Sequence, residues 1–132
     1  MYDDVIYVIR SECAMPTSPD EGRMQPLPPH MFLVLLVLNE QPSHGYGIKK
    51  RVAVRSGGAV DLDAGGLYRL IARLEERGWV EAVAGPDAED ARRKHYALSP
   101  LGREALAAEA RRVSQLASEP DVAALAAEGR AG

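Results

Sequence analysis

The sequence predicts a mainly α-helical fold with one small β-hairpin, and three observations lead to this prediction. An apolar stretch at residues 27–42 has prolines at both ends, the positions at which proline borders a helix. Residues 63–78 carry apolar side chains at helical spacing. Two short strand-like segments, residues 79–84 and 95–99, enclose a polar loop, which is the pattern of a hairpin.

Composition limits the class of protein. The chain has 132 residues, of which 46% are hydrophobic and 27% are charged, values ordinary for one globular domain. The longest unbroken apolar run, Met31 to Leu38, is eight residues long, whereas roughly 20 are needed to span a bilayer. The first residues are acidic and lack the basic region of a secretory signal. We therefore expect a cytoplasmic protein that does not bind a membrane.

Residues that could carry metal or catalytic chemistry are few and scattered. A single cysteine, Cys13, excludes an internal disulfide. The three histidines, His30, His44 and His95, lack the spacing of zinc ligands. No nucleophile, base and acid occur together as a recognisable set. The sequence therefore predicts no metal site, no cofactor and no enzyme activity.

The charge is unevenly distributed along the chain. The net charge is −3, yet residues 41–112 contain 13 Lys and Arg against 10 Asp and Glu. The centre is therefore basic and the two ends are acidic. Because the local potential steers a polyanion more than the total charge does, DNA remains a plausible partner.

The central part of the chain predicts three helices. Helix 1 covers the apolar stretch, and helix 2 runs from His44 to about Ser56 with Ser43 as its N-cap. A short strand is predicted at Ala59–Leu62, where Val60 and Leu62 point the same way.

Helix 3 is the clearest helix of the sequence. Asp63 is its predicted N-cap and Gly78 its end. Its outer face carries Tyr68, Arg69 and Arg73, side chains suited to a DNA groove, although a merely solvated helix would look similar. The hairpin loop that follows ends on Arg92, Arg93 and Lys94, which would form the base of a wing.

The last predicted helix begins at Ser99 and Pro100 and extends to about Ser118. A seam at helical spacing suits a partner helix, although it could also pack on its own domain. The seam consists of Leu106, Ala110, Val113 and Ala117. The tail, residues 121–132, should add a frayed turn or two. This order of elements is that of a winged helix-turn-helix with an appended dimerisation helix.

Three spaced motifs resemble the PadR family of bacterial transcriptional regulators. They are "HGYGI", "GGLYRLIARLEERGWV" and "RRKHYALSPLGREAL", where the family reads approximately His-Gly-Tyr, Gly-Thr-Leu-Tyr followed by Arg-Leu, and Arg-Arg-x-Tyr-x-Leu-Thr-x-x-Gly. The resemblance covers roughly residues 27–113. It implies a dimeric repressor, often released from DNA by a small molecule. Two departures, Gly66 for the family's Thr and Ala64 for its frequent Pro, should loosen the start of helix 3.

These observations together define the expected domains and sites. We expect a disordered arm at residues 1–26, a winged helix at 27–99, and a dimerisation helix with a frayed tail at 100–132. The expected partners are operator DNA with an inverted repeat and a second copy of the chain. The residues expected to contact DNA are Tyr46, Lys49, Tyr68, Arg69, Arg73, Arg92, Arg93 and Lys94.

Two further expectations concern other partners. The family often places an effector between its C-terminal helices and helix 1, where Met31, Phe32 and Leu35 would line the pocket, although these residues also suit a core. A winged helix that binds another protein, with weak or no DNA binding, is the alternative function.

Overall fold

The computed structural model describes residues 26–85 and 93–131. In these ranges the chain forms five helices and three short strands, which we number in chain order. The elements are α1 Pro29–Glu40, β1 Ser43–His44, α2 Gly45–Arg55, α3 Ala64–Glu76, β2 Val80–Val83, β3 His95–Leu98, α4 Pro100–Ala117 and α5 Pro120–Ala131. The mainly helical winged-helix architecture is confirmed.

Helix α1 forms the centre of the core. Pro29 occupies its first turn, where the missing N–H of proline costs nothing. The helix is apolar on nearly all sides because α2 packs against one side, and β3 and α4 against others. The buried core comprises Met31, Val34, Leu35, Val37, Leu38, Ile48, Val52, Leu67, Leu70, Ile71, Leu74, Trp79, Val80, Tyr96, Ala105 and Leu106.

The end of α1 is fixed to α2 by charge. The two oxygens of Glu40 accept hydrogen bonds from Arg51 and Arg55, and Arg51 also donates to the Val37 carbonyl at 2.8 Å. The hydrogen bond from Arg51 and then that from Arg55 hold the pKa of the Glu40 carboxyl below its ordinary value. Two of the basic side chains of α2 are thereby committed to the fold.

The strands form one antiparallel sheet in the order β1-β3-β2. Ser43 pairs with Tyr96, and Val80 with Leu98. The predicted strand at Ala59–Leu62 is wrong, because this segment forms no strand. Val60 and Leu62 pack against the core from a loop, and the Val60 N–H donates to Ser56 Oγ at 2.9 Å instead of to a strand.

Three helices begin in the same way. His44, Asp63 and Ser99 are the N-caps of α2, α3 and α4, and each accepts the N–H of the glycine three residues later. The caps at Asp63 and Ser99 were predicted correctly. The predicted cap at Ser43 was wrong, because Ser43 belongs to β1 and the His44 ring takes its place.

We use the term α4 joint for Gly78, Trp79, Ser99 and Gly102, where α4 meets the end of α3. The Ser99 hydroxyl donates to the Gly78 carbonyl at 2.5 Å, and the Ser99 N–H donates to the Trp79 carbonyl at 2.9 Å. A Cβ on Gly102 would lie 2.1 Å from the same Trp79 oxygen. Only glycine therefore allows this close approach.

The two halves of α4 have different environments. In the first half, Ala105, Leu106 and Glu109 are buried against the domain. In the second half, Val113 is 39% exposed and Leu116 47% exposed. The predicted frayed tail is instead a twelve-residue helix, α5, that follows a short break at Ser118 and Glu119.

A buried ion pair anchors the middle of α4. The Glu109 carboxylate accepts two hydrogen bonds from Arg112, at 3.0 and 2.5 Å. These bonds, together with one from the Leu27 N–H, hold the pKa of Glu109 below its ordinary value despite burial. The pair thus connects α4 to the residue that leads into α1.

Candidate nucleic-acid interface

A cleft with a polar lining lies where α2, α3 and the base of the wing meet. Its volume is about 400 Å³. The residues that line this cleft are His44, Gly45, Tyr46, Tyr68, Arg93 and Lys94. Four of them, Tyr46, Tyr68, Arg93 and Lys94, were predicted to contact DNA, and the fold brings these four together.

The glycines at the start of α2 allow two close contacts. A Cβ on Gly45 would lie 2.5 Å from the hydroxyl of Tyr68, and one on Gly47 would lie 2.5 Å from Ser43 Oγ. The Tyr68 side chain of α3 therefore lies directly against the first residue of α2. This contact explains why two glycines occur at a helix start that propensity alone would not favour.

The His44 ring directs hydrogen-bond donors into the cleft. Its Nδ1 accepts the Gly47 N–H at 3.1 Å, so a neutral ring carries its proton on Nε2. That Nε2 lies 3.0 Å from a guanidinium nitrogen of Arg93, which is also a donor. Two neighbouring donors favour an oxyanion that accepts a hydrogen bond from each of them.

The histidine that pairs with His44 in the sheet is structural. His95 is buried, and its Nδ1 lies 3.0 Å from the Arg93 carbonyl. Its ring meets that of His44 edge-on, with centroids 5.3 Å apart. His95 thus contacts both the His44 ring and the backbone of Arg93, and we infer that it helps to hold these two cleft residues in place.

Two tyrosines border the cleft on its open side. Tyr46 is 64% exposed and Tyr68 is 51% exposed. Lys50 Nζ lies 5.6 Å from the centre of the Tyr46 ring, a distance typical of a cation–π contact. Such an exposed aromatic and cationic edge can contact sugar and phosphate groups together.

The outer face of α3 continues this surface. Arg69 bends back over the first turn, so that Cβ atoms on Gly65 and Gly66 would lie 3.3 and 3.9 Å from its guanidinium nitrogens. Arg73 is exposed one turn later. At the start of α3, Asp63 accepts the Gly66 N–H at 2.8 Å.

The remaining predicted DNA contacts have different outcomes. Lys49 forms an ion pair with Asp61 at 2.9 Å, which ties α2 to the loop before α3 and removes Lys49 from the cleft lining. Arg92 lies outside the described residues, as do Cys13 and all of the predicted arm except Pro26.

Sequence reasoning missed three residues of this surface. His44 was predicted only as the first residue of helix 2, and neither Gly45 nor Lys50 was among the residues expected to contact DNA. The signal was present in the "HGYG" motif, since a histidine that caps its own helix must present its second nitrogen outward. The contact between Gly45 and Tyr68 joins two distant segments, and no local pattern predicts it.

The residues predicted to form a dimer interface and an effector pocket differ in how deeply they are buried. Leu106 belongs to the core of one chain, whereas Ala110, Val113 and Ala117 are exposed. Met31 and Leu35 are buried in the core, and Phe32 packs against it. A second, open cleft of about 310 Å³ lies beside the α4 joint. It is lined by Leu38, Asn39, Leu98, Ser99, Pro100 and Arg103.

Residues 26–85 and 93–131 contain neither a metal-binding cluster nor a helix that could cross a membrane. No group of three or more His, Cys, Asp or Glu side chains there could hold a metal ion. None of the helices in residues 26–85 and 93–131 is long and apolar enough to cross a membrane.

Comparison with known families now adds to the geometry. A model of the transcriptional regulator PadR-like family matches residues 34–108, more than half of the chain, from α1 into α4. The chain belongs to the PadR-like family. Members of this family are transcriptional regulators with a winged-helix DNA-binding fold, so the cleft and the outer face of α3 lie on a fold used for binding DNA.

Two curated relatives match part of this PadR-like chain. An uncharacterized 37.1 kDa protein in transposon TN4556 of Streptomyces fradiae is 38% identical over 85 residues, covering 64% of this chain and 23% of that protein. An uncharacterized protein X of Lysinibacillus sphaericus is 27% identical over 71 residues, covering 54% and 65% respectively. The chain therefore spans less than two thirds of the length of either relative.

Solved structures share the fold. A probable transcriptional regulator from Pseudomonas aeruginosa is 29% identical with a TM-score of 0.54, covering 69% of this chain and 64% of that one. RosR of H. salinarum is 25% identical with a TM-score of 0.56, covering 80% and 94%. A PadR family transcription regulator from Clostridium difficile is 23% identical with a TM-score of 0.55, and the match covers 67% of this chain and 93% of that one. At this identity the likeness supports the fold alone.

Proposed function

We propose that this PadR-like regulator is a dimeric repressor that binds an inverted-repeat operator. The observation that carries the proposal is the cleft, because it joins the start of α2, the exposed side of Tyr68 and the base of the wing in one positively charged surface. The outer face of α3 lies beside it. This combination matches how winged helices place one helix in the major groove and a wing on the backbone.

The cleft suits the DNA backbone. Arg93 and Lys94 supply two positive charges, and His44 adds an N–H donor beside Arg93. Phosphate oxygens accept such charge-assisted hydrogen bonds, and most protein–DNA hydrogen bonds are to phosphate and sugar. We therefore assign the cleft to positioning the protein on DNA, without base discrimination.

We assign the two arginines of α3 to different parts of the DNA. Arg69 lies against the first turn of α3, where its guanidinium and the helix N-terminus attract the same anion. We assign Arg69 to a phosphate. Arg73 projects from the exposed middle of the helix, and we assign it to a base edge, where guanine offers two acceptors to a guanidinium.

The dimer is proposed from the second half of α4. Its exposed apolar residues Val113 and Leu116 continue the helix face that buries Leu106, and alanines at positions 110 and 117 would allow close approach. Twofold symmetry would place the two α3 helices about one DNA turn apart, roughly 34 Å. This symmetry is the reason to expect an inverted repeat.

Release by a small-molecule effector is also part of the proposal. Met31 and Leu35 are committed to the core, so the open cleft beside the α4 joint is the better-supported site. Its volume of about 310 Å³ is at the small end of ligand pockets. A ligand there would touch Ser99, which is bonded to the end of α3.

Selection of bound sequences from random DNA tests the central proposal. We expect an enriched inverted repeat, and gel shifts on it should show steep weakening with salt because several phosphates are neutralised. The absence of any enriched sequence would contradict the proposal and favour the winged helix that binds protein.

Two arginine variants test the assignment on the selected operator. Arg73→Ala should weaken binding by about 5- to 100-fold and relax the preference at one base pair. Arg69→Ala should weaken binding equally for all sequences and reduce the salt slope by about one. Arg103→Ala, on α4 and away from the cleft, is the control. Unchanged affinity in both α3 variants would defeat the assignment.

A further inference from the structure

We propose that the cleft also binds a free nucleotide, with the phosphate at Arg93 and Lys94 and the base on Tyr46. This inference rests on the proposed function, because it gives the surface assigned to DNA phosphates a second ligand of related chemistry. Since both ligands would need the same side chains, the nucleotide would compete with the operator. The cleft would then regulate DNA binding as well as contribute to it.

The first argument is the shape of the site. The cleft has a volume of about 400 Å³, which lies in the range of roughly 300–1,000 Å³ typical of small-molecule sites. Its lining comes from three parts of the chain, namely the start of α2, Tyr68 of α3, and the two residues before β3. The backbone of a duplex lies along a surface, whereas a concave site of this volume can surround a whole small molecule.

The second argument is the charge of the lining. Arg93 and Lys94 are cationic, and His44 Nε2 lies 3.0 Å from a guanidinium nitrogen of Arg93. None of the described residues that line the cleft is acidic. A phosphate monoester carries a charge of about −1.5 to −2 at pH 7 and offers three acceptor oxygens, whereas each phosphate of DNA is a diester with one charge. The terminal phosphate of a free nucleotide should therefore bind these donors more strongly than one DNA phosphate does.

The third argument is the pair of exposed aromatic rings beside these donors. Tyr46 is 64% exposed and Tyr68 is 51% exposed, so neither ring is covered by the fold. In a duplex each base is already stacked on its neighbours, and its face is closed to a tyrosine. The base of a free nucleotide presents an open face, and stacking on an aromatic side chain adds affinity for any base. Exposed tyrosines beside a phosphate site thus fit an unpaired base.

The second cleft, beside the α4 joint, does not offer this combination. The described residues that line it include no aromatic side chain. Its cation, Arg103, already donates a hydrogen bond to the side-chain oxygen of Asn39. A ligand that combines a phosphate with an aromatic base is therefore expected at the cleft between α2, α3 and the wing.

Isothermal titration calorimetry of the full chain with adenosine monophosphate measures this binding. The buffer contains EDTA, so that no divalent cation bridges phosphate and protein. Ribose phosphate, which lacks the base, and adenosine, which lacks the phosphate, are the matched partial ligands. We expect a dissociation constant below about 1 mM for the nucleotide, and each partial ligand should bind at least about fivefold more weakly. Equal affinity for the nucleotide and either partial ligand would overturn the proposal.

Three variants test whether the nucleotide binds in the cleft. Tyr46→Ala should weaken nucleotide binding at least about fivefold and ribose phosphate binding less than about twofold, because only the stacking surface is lost. Arg93→Ala should weaken both ligands about tenfold, because a charge-assisted contact is lost. The control is Arg111→Ala, which removes the same charge from the exposed surface of α4 and should change neither affinity.

The folding of these variants is checked by circular dichroism, which should match the parent since all three side chains are exposed. An equal loss of nucleotide affinity in Arg93→Ala and Arg111→Ala would mean that the nucleotide responds only to net charge. That result, or unchanged nucleotide affinity in Tyr46→Ala, would overturn the site.

Competition on the selected operator tests the regulatory part of the proposal. Sodium chloride is adjusted so that the ionic strength stays constant. Adenosine monophosphate at ten times its dissociation constant should then raise the apparent dissociation constant of the operator at least about tenfold, as expected for ligands that exclude each other. An operator affinity that the bound nucleotide leaves unchanged would contradict a shared site.

The outcomes also distinguish this inference from the proposed function. Failure of the chain to select any DNA sequence would contradict the repressor, while the calorimetric comparison would still decide whether the cleft binds a nucleotide. Selection of an operator by a chain that binds the nucleotide no better than adenosine would overturn the nucleotide site and leave the repressor supported.

Discussion

The α4 joint and the cleft use the same local device for opposite purposes. At both places an N-cap side chain accepts the N–H of a glycine at the third helical position, Gly102 in α4 and Gly47 in α2. At the joint, the space beside glycine is filled by the backbone carbonyl of Trp79. At the cleft, the space beside Gly47 is filled by the side chains of Ser43 and His44, and the space beside Gly45 by the side chain of Tyr68.

This difference distinguishes a glycine that the packing of the fold requires from one that shapes the surface of the cleft. A backbone carbonyl in a packed core cannot move aside, because the interior is close-packed. The end of a flexible side chain at the surface can rotate away. Substitution at the joint should therefore lower stability, whereas substitution at the cleft should mainly change the shape that a ligand meets.

Gly102→Ala should have the largest effect. Its Cβ would lie 2.1 Å from the Trp79 oxygen, so α4 must shift, at a cost of about 3 kcal/mol or more in free energy of unfolding. Urea denaturation followed by circular dichroism measures this loss. A loss below about 1 kcal/mol would remove the distinction between the two regions.

Glu109→Gln, two turns further along α4, should come next. It leaves Arg112 without its buried partner and should cost about 1–3 kcal/mol at pH 7. The folded pKa of Glu109 lies below the ordinary value of 4.5, so the carboxylate's contribution is complete above about pH 5 and is lost as the pH falls through the lowered pKa.

The pH dependence provides the check on Glu109→Gln. The difference in free energy of unfolding between parent and variant should be largest at pH 7. It should shrink as the pH falls below the ordinary pKa of a glutamate side chain. Glu128→Gln on exposed α5 is the control and should match the parent throughout. A difference that is independent of pH would mean that the lost interaction is not the ion pair.

Gly45→Ala should affect function more than stability. The new methyl group meets the Tyr68 hydroxyl at 2.5 Å, and this side chain can turn outward for less than about 1 kcal/mol. Operator affinity should fall several-fold because the cleft changes shape. A gel shift and a denaturation curve on the same sample would test both parts, and unchanged affinity would speak against the cleft as a DNA contact.

Gly66→Ala should have the smallest effect and is matched to Gly102→Ala by helical position. Helix propensity favours alanine by up to about 1 kcal/mol, whereas the methyl group crowds the Asp63 cap at 2.5 Å. We expect these effects to cancel to within about 0.5 kcal/mol. A large loss of stability would show that the cap, and not the backbone contact, decides the cost at this position.

The fold was predictable where local chemistry determines it. Asp63, Ser99 with Pro100, and Gly78 gave the ends of α3 and α4 correctly, because capping and positive φ depend on nearby residues. The predicted strand at Ala59–Leu62 was wrong because alternation over so few residues does not distinguish a strand from a loop packed on a core. The two-residue strand β1 is too short to leave any sequence signal.

The site was predictable in residue type but not in arrangement. Tyr46 and Tyr68 were chosen near predicted helix starts and Arg93 and Lys94 at the predicted base of the wing, and the fold brings the four together. Lys49 was indistinguishable by sequence from Lys50, since only tertiary contact shows that Asp61 holds Lys49. The length of α5 was missed because its alanines fit a stable helix and a frayed one equally well.

The short strand β1 has a consequence for how binding energy accumulates. It joins the first residue of α2 directly to the strand that carries the wing, through Ser43 with Tyr96 and His44 with His95. In the proposed DNA complex, the phosphate contacts of α2 and those of Arg93 and Lys94 would therefore come from one connected unit. We expect their free energies to be coupled and not additive.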